Sequence, residues 1–163
     1  MHRLIFRRST EYMFERLSRG EWQSVVERFL AEDVHHIFPG AHPLGGERHT
    51  RAAVLLWFER LDRLFPEHTF HVHRVASCGW PWSAWVAAQW SAHLRPQGGE
   101  PYTNHGTHWI HLRWGKVTTL HAYLDTQQVA EACRGMAQRG VTEAAATPIL
   151  DSIASSSASP PAR

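Results

Sequence analysis

The chain has 163 residues, of which 43% are apolar and 20% charged, a balance typical of one globular domain with a single core. Its 17 basic residues nearly match its 15 acidic ones and are scattered, so no phosphate-binding stripe forms and nucleic acid is not an expected partner. No segment approaches the roughly 18 consecutive apolar residues of a membrane span, and the N-terminal segment lacks the apolar run of a signal peptide.

The first half of the chain predicts helices on either side of a short strand. Residues 11–31 have apolar side chains at helical spacing with a break near residues 18–20, which predicts two helices joined by a turn. The segment DVHHIF alternates and stops at Pro39, as a short strand would. A further helix is predicted from Thr50, which can cap it, to Phe65, where Pro66 closes it.

The second half predicts strands and one helix. Strands are expected at 68–76 and 83–95, and the segment 104–126 divides at Gly115–Lys116 into a hairpin. A helix follows from 127 to about 139, and either Asp125 or Thr126 could cap it. For Asp125 a cap is more expected than a catalytic role. Helices followed by a strand meander indicate an α+β domain spanning residues 1–142. Residues 143–163 are rich in serine, alanine and proline and are expected to form a disordered tail.

Thirteen histidines are the one excess in the composition, and four of them lie in the hairpin. Metal binding, pH sensing and proton transfer are all open to them, although most histidines in proteins do none of these. If Ile110 and Leu120 share one face of the hairpin, its loop must be odd in length, most simply the three residues from Trp114 to Lys116. His108 then joins the apolar face. The histidines that point to the other face are His105, His111 and His121.

Cys78 and Cys133 are far apart in sequence and lack the close spacing of a zinc ribbon. This usage indicates reduced thiols and a cytoplasmic location.

The element order and the segments DVHHIFPG, HPLGGERHTRAAV and GKVTTLHAYLDT resemble the SnoaL-like branch of the nuclear-transport-factor-2-like superfamily over about residues 8–135. The resemblance implies a cone in which a strongly curved antiparallel sheet wraps over N-terminal helices, with a pocket between them. Members include polyketide cyclases, limonene epoxide hydrolases and ketosteroid isomerases, alongside domains that only bind or act as scaffolds. The resemblance implies no cofactor. Because members of one fold differ in function, the reaction depends on the residues of the site itself.

At the positions that the resemblance assigns to catalysis, the familiar carboxylates are missing. The proton-abstracting aspartate of the isomerases corresponds to Phe38, and their oxyanion-binding tyrosine corresponds to Met13, with Tyr12 beside it. Their protonated aspartate corresponds to His108. The acid held by the cyclases and epoxide hydrolases corresponds to Ala122.

His108 and His36 are therefore the predicted catalytic residues, because imidazole exchanges protons near neutral pH. The expected substrate is an apolar cyclic or polyketide-like molecule that is isomerised, cyclised or hydrated. The other predicted pocket residues are apolar or aromatic, apart from Asn104 at the mouth: Phe38, Met13, Tyr12, Ile110, Leu120, Ala122, Leu124, Asn104 and Trp57. The alternative is a binding domain without turnover, in which both imidazoles bond only to backbone or water.

The outer sheet face is expected to carry Trp109 and Tyr123 beside imidazoles, which favours a homodimer formed through that face. A zinc site there is the remaining alternative, and it depends on the strand order. Its ligands would be His71, His73, His111 and His121.

Overall fold

The computed structural model describes residues 2–151, which form four α-helices, six β-strands and one short 3-10 helix. The helices are α1 (His2–Ser18), α2 (Trp22–Phe29), α3 (Arg51–Leu64) and α4 (Thr126–Gln138), and the 3-10 helix is Thr142–Ala145. The strands are β1 (Leu30–Phe38), β2 (Gly46–Arg48), β3 (Glu67–Trp80), β4 (Ser83–Arg95), β5 (Tyr102–Arg113) and β6 (Lys116–Leu124).

The strands form one curved, open sheet in the order β2-β1-β6-β5-β4-β3. Neighbouring strands are antiparallel except β1 and β6, which run parallel, so the sheet is mixed rather than wholly antiparallel. The helices cover its inner face, and the core lies between the two layers. The predicted α+β class is confirmed.

The two predicted helix caps are present. The Thr50 hydroxyl accepts a hydrogen bond from the backbone N–H of Ala53, and Oδ1 of Asp125 accepts from those of Gln127 and Gln128. The buried side chains of α3 form the stripe that its spacing predicted: Ala53, Val54, Trp57, Phe58, Leu61 and Leu64.

Helix α1 begins well before residue 11, where the apolar spacing placed its start. Its first turns bury little, since Leu4 and Ile5 are 62% and 56% exposed. An ion pair at i,i+4 spacing, from Arg7 Nε to Glu11 Oε1 at 2.8 Å, supports this part instead. Because these first turns bury few apolar side chains, their sequence shows no apolar periodicity that would indicate a helix.

The hairpin between β5 and β6 has a two-residue loop, Trp114–Gly115, so the expected three-residue loop is wrong. Both loop residues have positive φ, 49° and 77°, as a tight turn of this length requires. A bulge at Thr118 adds one residue to β6 and restores the parity. His108 therefore pairs with Ala122, and Ile110 with Leu120, on the inner face as predicted.

Residues 143–151 pack on the domain, so the tail boundary expected at 143 is too early. Ala144 is buried, and Glu143 forms ion pairs with Arg60 and Arg63 of α3. The carbonyl of Ile149 accepts a hydrogen bond from Arg48. The rest of the predicted tail, 152–163, lies outside the described residues.

Within residues 2–151, no helix combines the length and the apolar character that crossing a bilayer requires.

Candidate active site

A cavity of about 80 Å³ lies between the helices and the inner face of the sheet. Of the described residues that line it, only His36, Asn104 and His108 are polar, and none carries a carboxylate. Its volume is well below the roughly 300–1,000 Å³ typical of sites for drug-sized ligands. The space therefore suits a small apolar molecule.

Nine of the predicted site residues line this cavity: Met13, His36, Phe38, Trp57, Asn104, His108, Ile110, Leu120 and Leu124. Ala122 is fully buried beside them but is not among the lining residues. Tyr12 lies away from the cavity, 38% exposed, with its hydroxyl bonded to Arg16. Because successive helical residues are about 100° apart, Met13 and Tyr12 cannot both face inward.

Trp90 of β4 is a wall residue that the sequence analysis did not single out. It is 3% exposed, and its indole Nε1 donates a hydrogen bond of 2.7 Å to Nδ1 of His108. In the sheet register Trp90 pairs with Gly106, and His108 pairs with Ala88, so the two rings are diagonal neighbours. The alternation of β4 would have placed Trp90 inward, but its partner depends on this register.

Gly106 makes room for that indole. A Cβ at this position would lie 2.6 Å from Cζ2 of Trp90 and 2.7 Å from the carbonyl oxygen of Tyr123. Both distances are far inside van der Waals contact, so only glycine lets the ring lie against β5 here. Phe14 of α1 also contacts the His108 ring in an edge-to-face arrangement, with ring centroids 5.5 Å apart.

The hydrogen bond from Trp90 determines which ring nitrogen of His108 carries the proton. An indole N–H can only donate, so Nδ1 of His108 must be the acceptor and the neutral ring carries its proton on Nε2. Burial lowers the pKa of His108 to about 4, with a smaller contribution from His121. At neutral pH His108 is therefore an uncharged hydrogen-bond donor.

His36 is held in the same way by a buried arginine. Arg48, with none of its surface exposed, donates from Nε to Nδ1 of His36 at 3.0 Å. Burial, and then the charge of Arg48, lower the pKa of His36 well below its usual range. The edge of the His36 ring meets Trp57, with centroids 4.7 Å apart. His36 is thus also neutral, with its proton on Nε2.

Three of the other four N–H groups of Arg48 donate to backbone carbonyls. Nη1 donates to the carbonyls of Gly45 and Ile149, at 3.1 and 2.9 Å, and Nη2 donates to that of Gly46 at 2.7 Å. Although burial lowers the pKa of Arg48 to about 10, the guanidinium stays charged at neutral pH. Nothing in the sequence pattern distinguished this arginine from the scattered surface ones.

Residues 10–120 match the family model of the SnoaL-like domain. The chain belongs to the SnoaL-like domain family. The resemblance drawn from the sequence is confirmed. None of the curated proteins is a match at a significant level.

Solved structures share the SnoaL-like architecture. An NTF2-like protein of unknown function from Burkholderia pseudomallei is 18% identical, with a TM-score of 0.68 over 78% of this chain and 95% of that one. A polyketide cyclase candidate from Xanthomonas campestris pv. campestris is 20% identical, with a TM-score of 0.52 over 72% and 87%. TerC, co-crystallised with polyporic acid, is 15% identical, with a TM-score of 0.60 over 74% and 91%. At these identities the similarity shows the fold alone.

Asn104 has a structural role in the wall of the cavity. It is fully buried, its amide donates to the carbonyl of Asp125 at 2.9 Å, and its side-chain oxygen accepts from the N–H of Asp125 at 3.2 Å. This two-way bond fastens β5 to the start of α4, so the amide is a structural contact rather than a free group at the mouth.

The outward histidines of the SnoaL-like sheet are not gathered into one metal site. His71 and His73 lie on β3, which is separated by β4 from the strand that carries His111. His73 bonds to Ser91, and the two ring nitrogens of His111 contact the hydroxyls of Ser83 and Thr118. The four-histidine alternative is therefore wrong.

Proposed function

We propose that this chain is a SnoaL-like enzyme of the isomerase, cyclase or hydratase type, acting on a small apolar molecule that carries a carbonyl oxygen. The observation that carries the proposal is the hydrogen bond from Trp90 to His108, which leaves Nε2–H as the free polar group of a ring in an apolar cavity. A neutral imidazole N–H can donate to a carbonyl oxygen as negative charge develops on it. His36 supplies a second donor of the same kind.

The cavity volume supports a small substrate. A space of about 80 Å³ is too small for a long polyketide chain unless the walls move, so we propose a compact cyclic ketone or a short polyketide-like fragment. The polyketide cyclase candidate of the same fold supports a polyketide-like substrate. No cofactor enters the proposed step.

A binding domain without turnover is the second candidate, and one observation favours it. The acceptor nitrogens of His36 and His108 are both occupied, and no described lining residue carries a carboxylate, so these walls offer no obvious proton acceptor. Such a cavity can hold a carbonyl compound through the same two N–H donors without converting it.

The test is a titration of ¹⁵N-labelled protein with small cyclic ketones and diketones, followed by turnover assays on those that bind. We expect the ring nitrogens of His108 to report the Nε2–H form at pH 7, and that N–H signal to shift on binding. His108→Phe should lower turnover by about 10²–10³, the usual effect of losing one oxyanion donor.

His105→Ala is the matched control, because His105 lies on the outer face of the same strand. Binding without turnover would favour the second candidate. An Nδ1–H form of His108, or unchanged turnover in His108→Phe, would remove His108 from the proposed role.

We also propose that the protein is a homodimer through the outer face of β4, β5 and β6. Trp109 and Tyr123 are 41% and 53% exposed there, and Trp85 stacks on Trp109 with ring centroids 5.7 Å apart. An exposed aromatic surface of this kind is typical of an interface between proteins. A second copy of this chain is the simplest partner, because the same aromatic patch then covers itself.

Light scattering on the eluting protein tests the dimer. Wild type is expected at twice the chain mass, and Trp109→Lys at the mass of one chain, because a charge would be buried without a partner. Trp114→Lys is the control, since Trp114 is 77% exposed at the hairpin tip. A wild-type mass of one chain would refute the proposal.

A cytoplasmic location is part of the proposal and is supported by the thiols. Cys78 is exposed, Cys133 is buried, and neither forms a disulfide.

A further inference from the structure

A second group of chemically active side chains lies on the opposite face of the sheet from the cavity, at the edge formed by β1 and β2. Side chains alternate along β1, so His35 points outward while His36 points to the cavity. On β2, Glu47 pairs with Ile37 and points outward, whereas Arg48 pairs with His36 and points inward. His49 follows β2 directly and returns to the outer side.

The three outward groups are close together. One nitrogen of His35, one nitrogen of His49 and one carboxylate oxygen of Glu47 all lie within 4.8 Å of one another. Nε2 of His35 is 2.7 Å from Oε2 of Glu47, and the His35 and His49 rings stack with centroids 4.4 Å apart. Within residues 2–151 this is the one group of three such side chains with that spacing.

We propose that His35, Glu47 and His49 bind a divalent transition-metal ion, for which Zn²⁺ is the best fit. Two imidazoles and one carboxylate form a donor set that zinc uses when three ligands come from protein and water takes the fourth position. Calcium and magnesium prefer oxygen ligands and do not match two imidazoles.

The spacing fits that ion with small side-chain rotations. Ligand atoms at about 2.0–2.2 Å from a tetrahedral ion lie about 3.4 Å apart, which is more than the 2.7 Å between His35 and Glu47 and less than the 4.8 Å within which all three ligand atoms lie. Glu47 and His35 are 55% and 36% exposed in their side chains, so both can turn and the ion can enter from solvent. For Nε2 of His35 to bind the ion, the proton that it shares with Glu47 must leave that nitrogen, and the neutral ring then carries its one proton on Nδ1.

The charge of the site also suits a cation. The carboxylate of Glu47 supplies a negative charge beside the two imidazoles. Neutral imidazole is the form that ligates metal. Arg48 lies between Glu47 and His49 in the chain, and its side chain is held by the carbonyls of Gly45 and Gly46, which directly precede Glu47.

The chain offers a matched control on the same face of the sheet. His71 and His73 are also neighbouring imidazoles, with ring centroids 4.8 Å apart, but no carboxylate completes a group of three with them. Replacing both removes two imidazoles, as many as the proposed site contains, and should leave that site intact.

The test is titration of the full, untagged chain with Zn²⁺ by calorimetry, repeated with Co²⁺ to observe the visible absorption of a tetrahedral site. One ion per chain is expected. Glu47→Gln and His49→Ala should each weaken Zn²⁺ binding by at least about tenfold, the lower end of what losing even a supporting residue causes. The double variant His71→Ala, His73→Ala should bind as wild type does.

Glu47→Gln changes neither size nor backbone, so it keeps its fold even if His49→Ala does not, and circular dichroism checks both. Three results would overturn the site: no saturable binding to wild type, unchanged affinity in Glu47→Gln, or loss of binding in the His71, His73 double variant. The site is separate from the proposed enzyme function, because none of its three ligands lines the cavity.

Discussion

Acidification from about pH 7 to about pH 4 should destabilise the wild-type protein by about 3 kcal/mol more than it destabilises the His108→Phe variant. The reason is the buried imidazole, whose pKa of about 4 in the folded protein lies well below its ordinary value of 6.5. Phenylalanine fills a similar volume and does not titrate.

The direction follows from proton uptake. Between pH 6.5 and pH 4 the unfolded chain binds a proton at His108 that the folded protein excludes, so acid favours unfolding. Well above pH 6.5 His108 is deprotonated in both states, and the imidazole no longer contributes to the pH dependence. The stability linked to His108 is therefore complete near neutral pH and is lost as the pH falls toward 4.

Urea unfolding at several pH values, followed by tryptophan fluorescence, measures this difference. His36 and His42 also have lowered pKa values. Burial is the main cause for both, followed for His36 by the charge of Arg48; both proteins keep these causes, so only the smaller effect of His108 on His36 differs between them. The Trp90 indole loses its acceptor in the variant, which lowers stability by a constant amount at every pH. Equal pH dependence in the two proteins would mean that His108 is not desolvated.

Replacing Arg48 by methionine should lower the free energy of unfolding by about 3 kcal/mol or more, because hydrogen bonds to a charged donor each contribute about 1.5–3 kcal/mol. Methionine fills much of the space but donates nothing. Three backbone carbonyls and Nδ1 of His36 would then be buried without their donor.

Arg48→Lys separates charge from geometry. Lysine keeps the charge but cannot reach all four acceptors in the fixed directions of a guanidinium, so an intermediate loss is expected. Arg113→Met, at an exposed position on β5, is the surface control and should change stability by less than about 0.5 kcal/mol. A loss below about 1 kcal/mol in Arg48→Met would show that the network contributes little.

Local signals predicted most of the fold. Apolar spacing predicted α3, and side-chain oxygens at Thr50 and Asp125 predicted two helix starts, because caps and periodicity act within one turn. Strand β2 escaped notice because three residues carry no periodicity. In the hairpin the predicted loop length was wrong, but the predicted inward face of His108 was correct, because the bulge at Thr118 supplies the extra residue that the loop lacks.

The candidate site was predictable in its position but not in its chemistry. Alternation placed His108 on the inner face, since one strand suffices for that inference. Its protonation depends on Trp90, and that of His36 depends on Arg48, which are 18 and 12 residues away in sequence. Such partners are set by the register between strands. The sequence therefore predicted that His36 and His108 exchange protons. The hydrogen bonds from Arg48 and Trp90 instead leave each imidazole as a neutral hydrogen-bond donor.

The bond between Arg48 and Ile149 joins residues 101 positions apart in the chain. During synthesis the guanidinium emerges first, and its acceptor at Ile149 emerges 101 residues later. The edge of the sheet that carries Arg48 therefore reaches its final arrangement late, after the strands of the meander are already available to pair. A nascent chain halted before residue 149 would hold the Arg48 charge with an incomplete set of acceptors, so this network forms only after Ile149 has emerged.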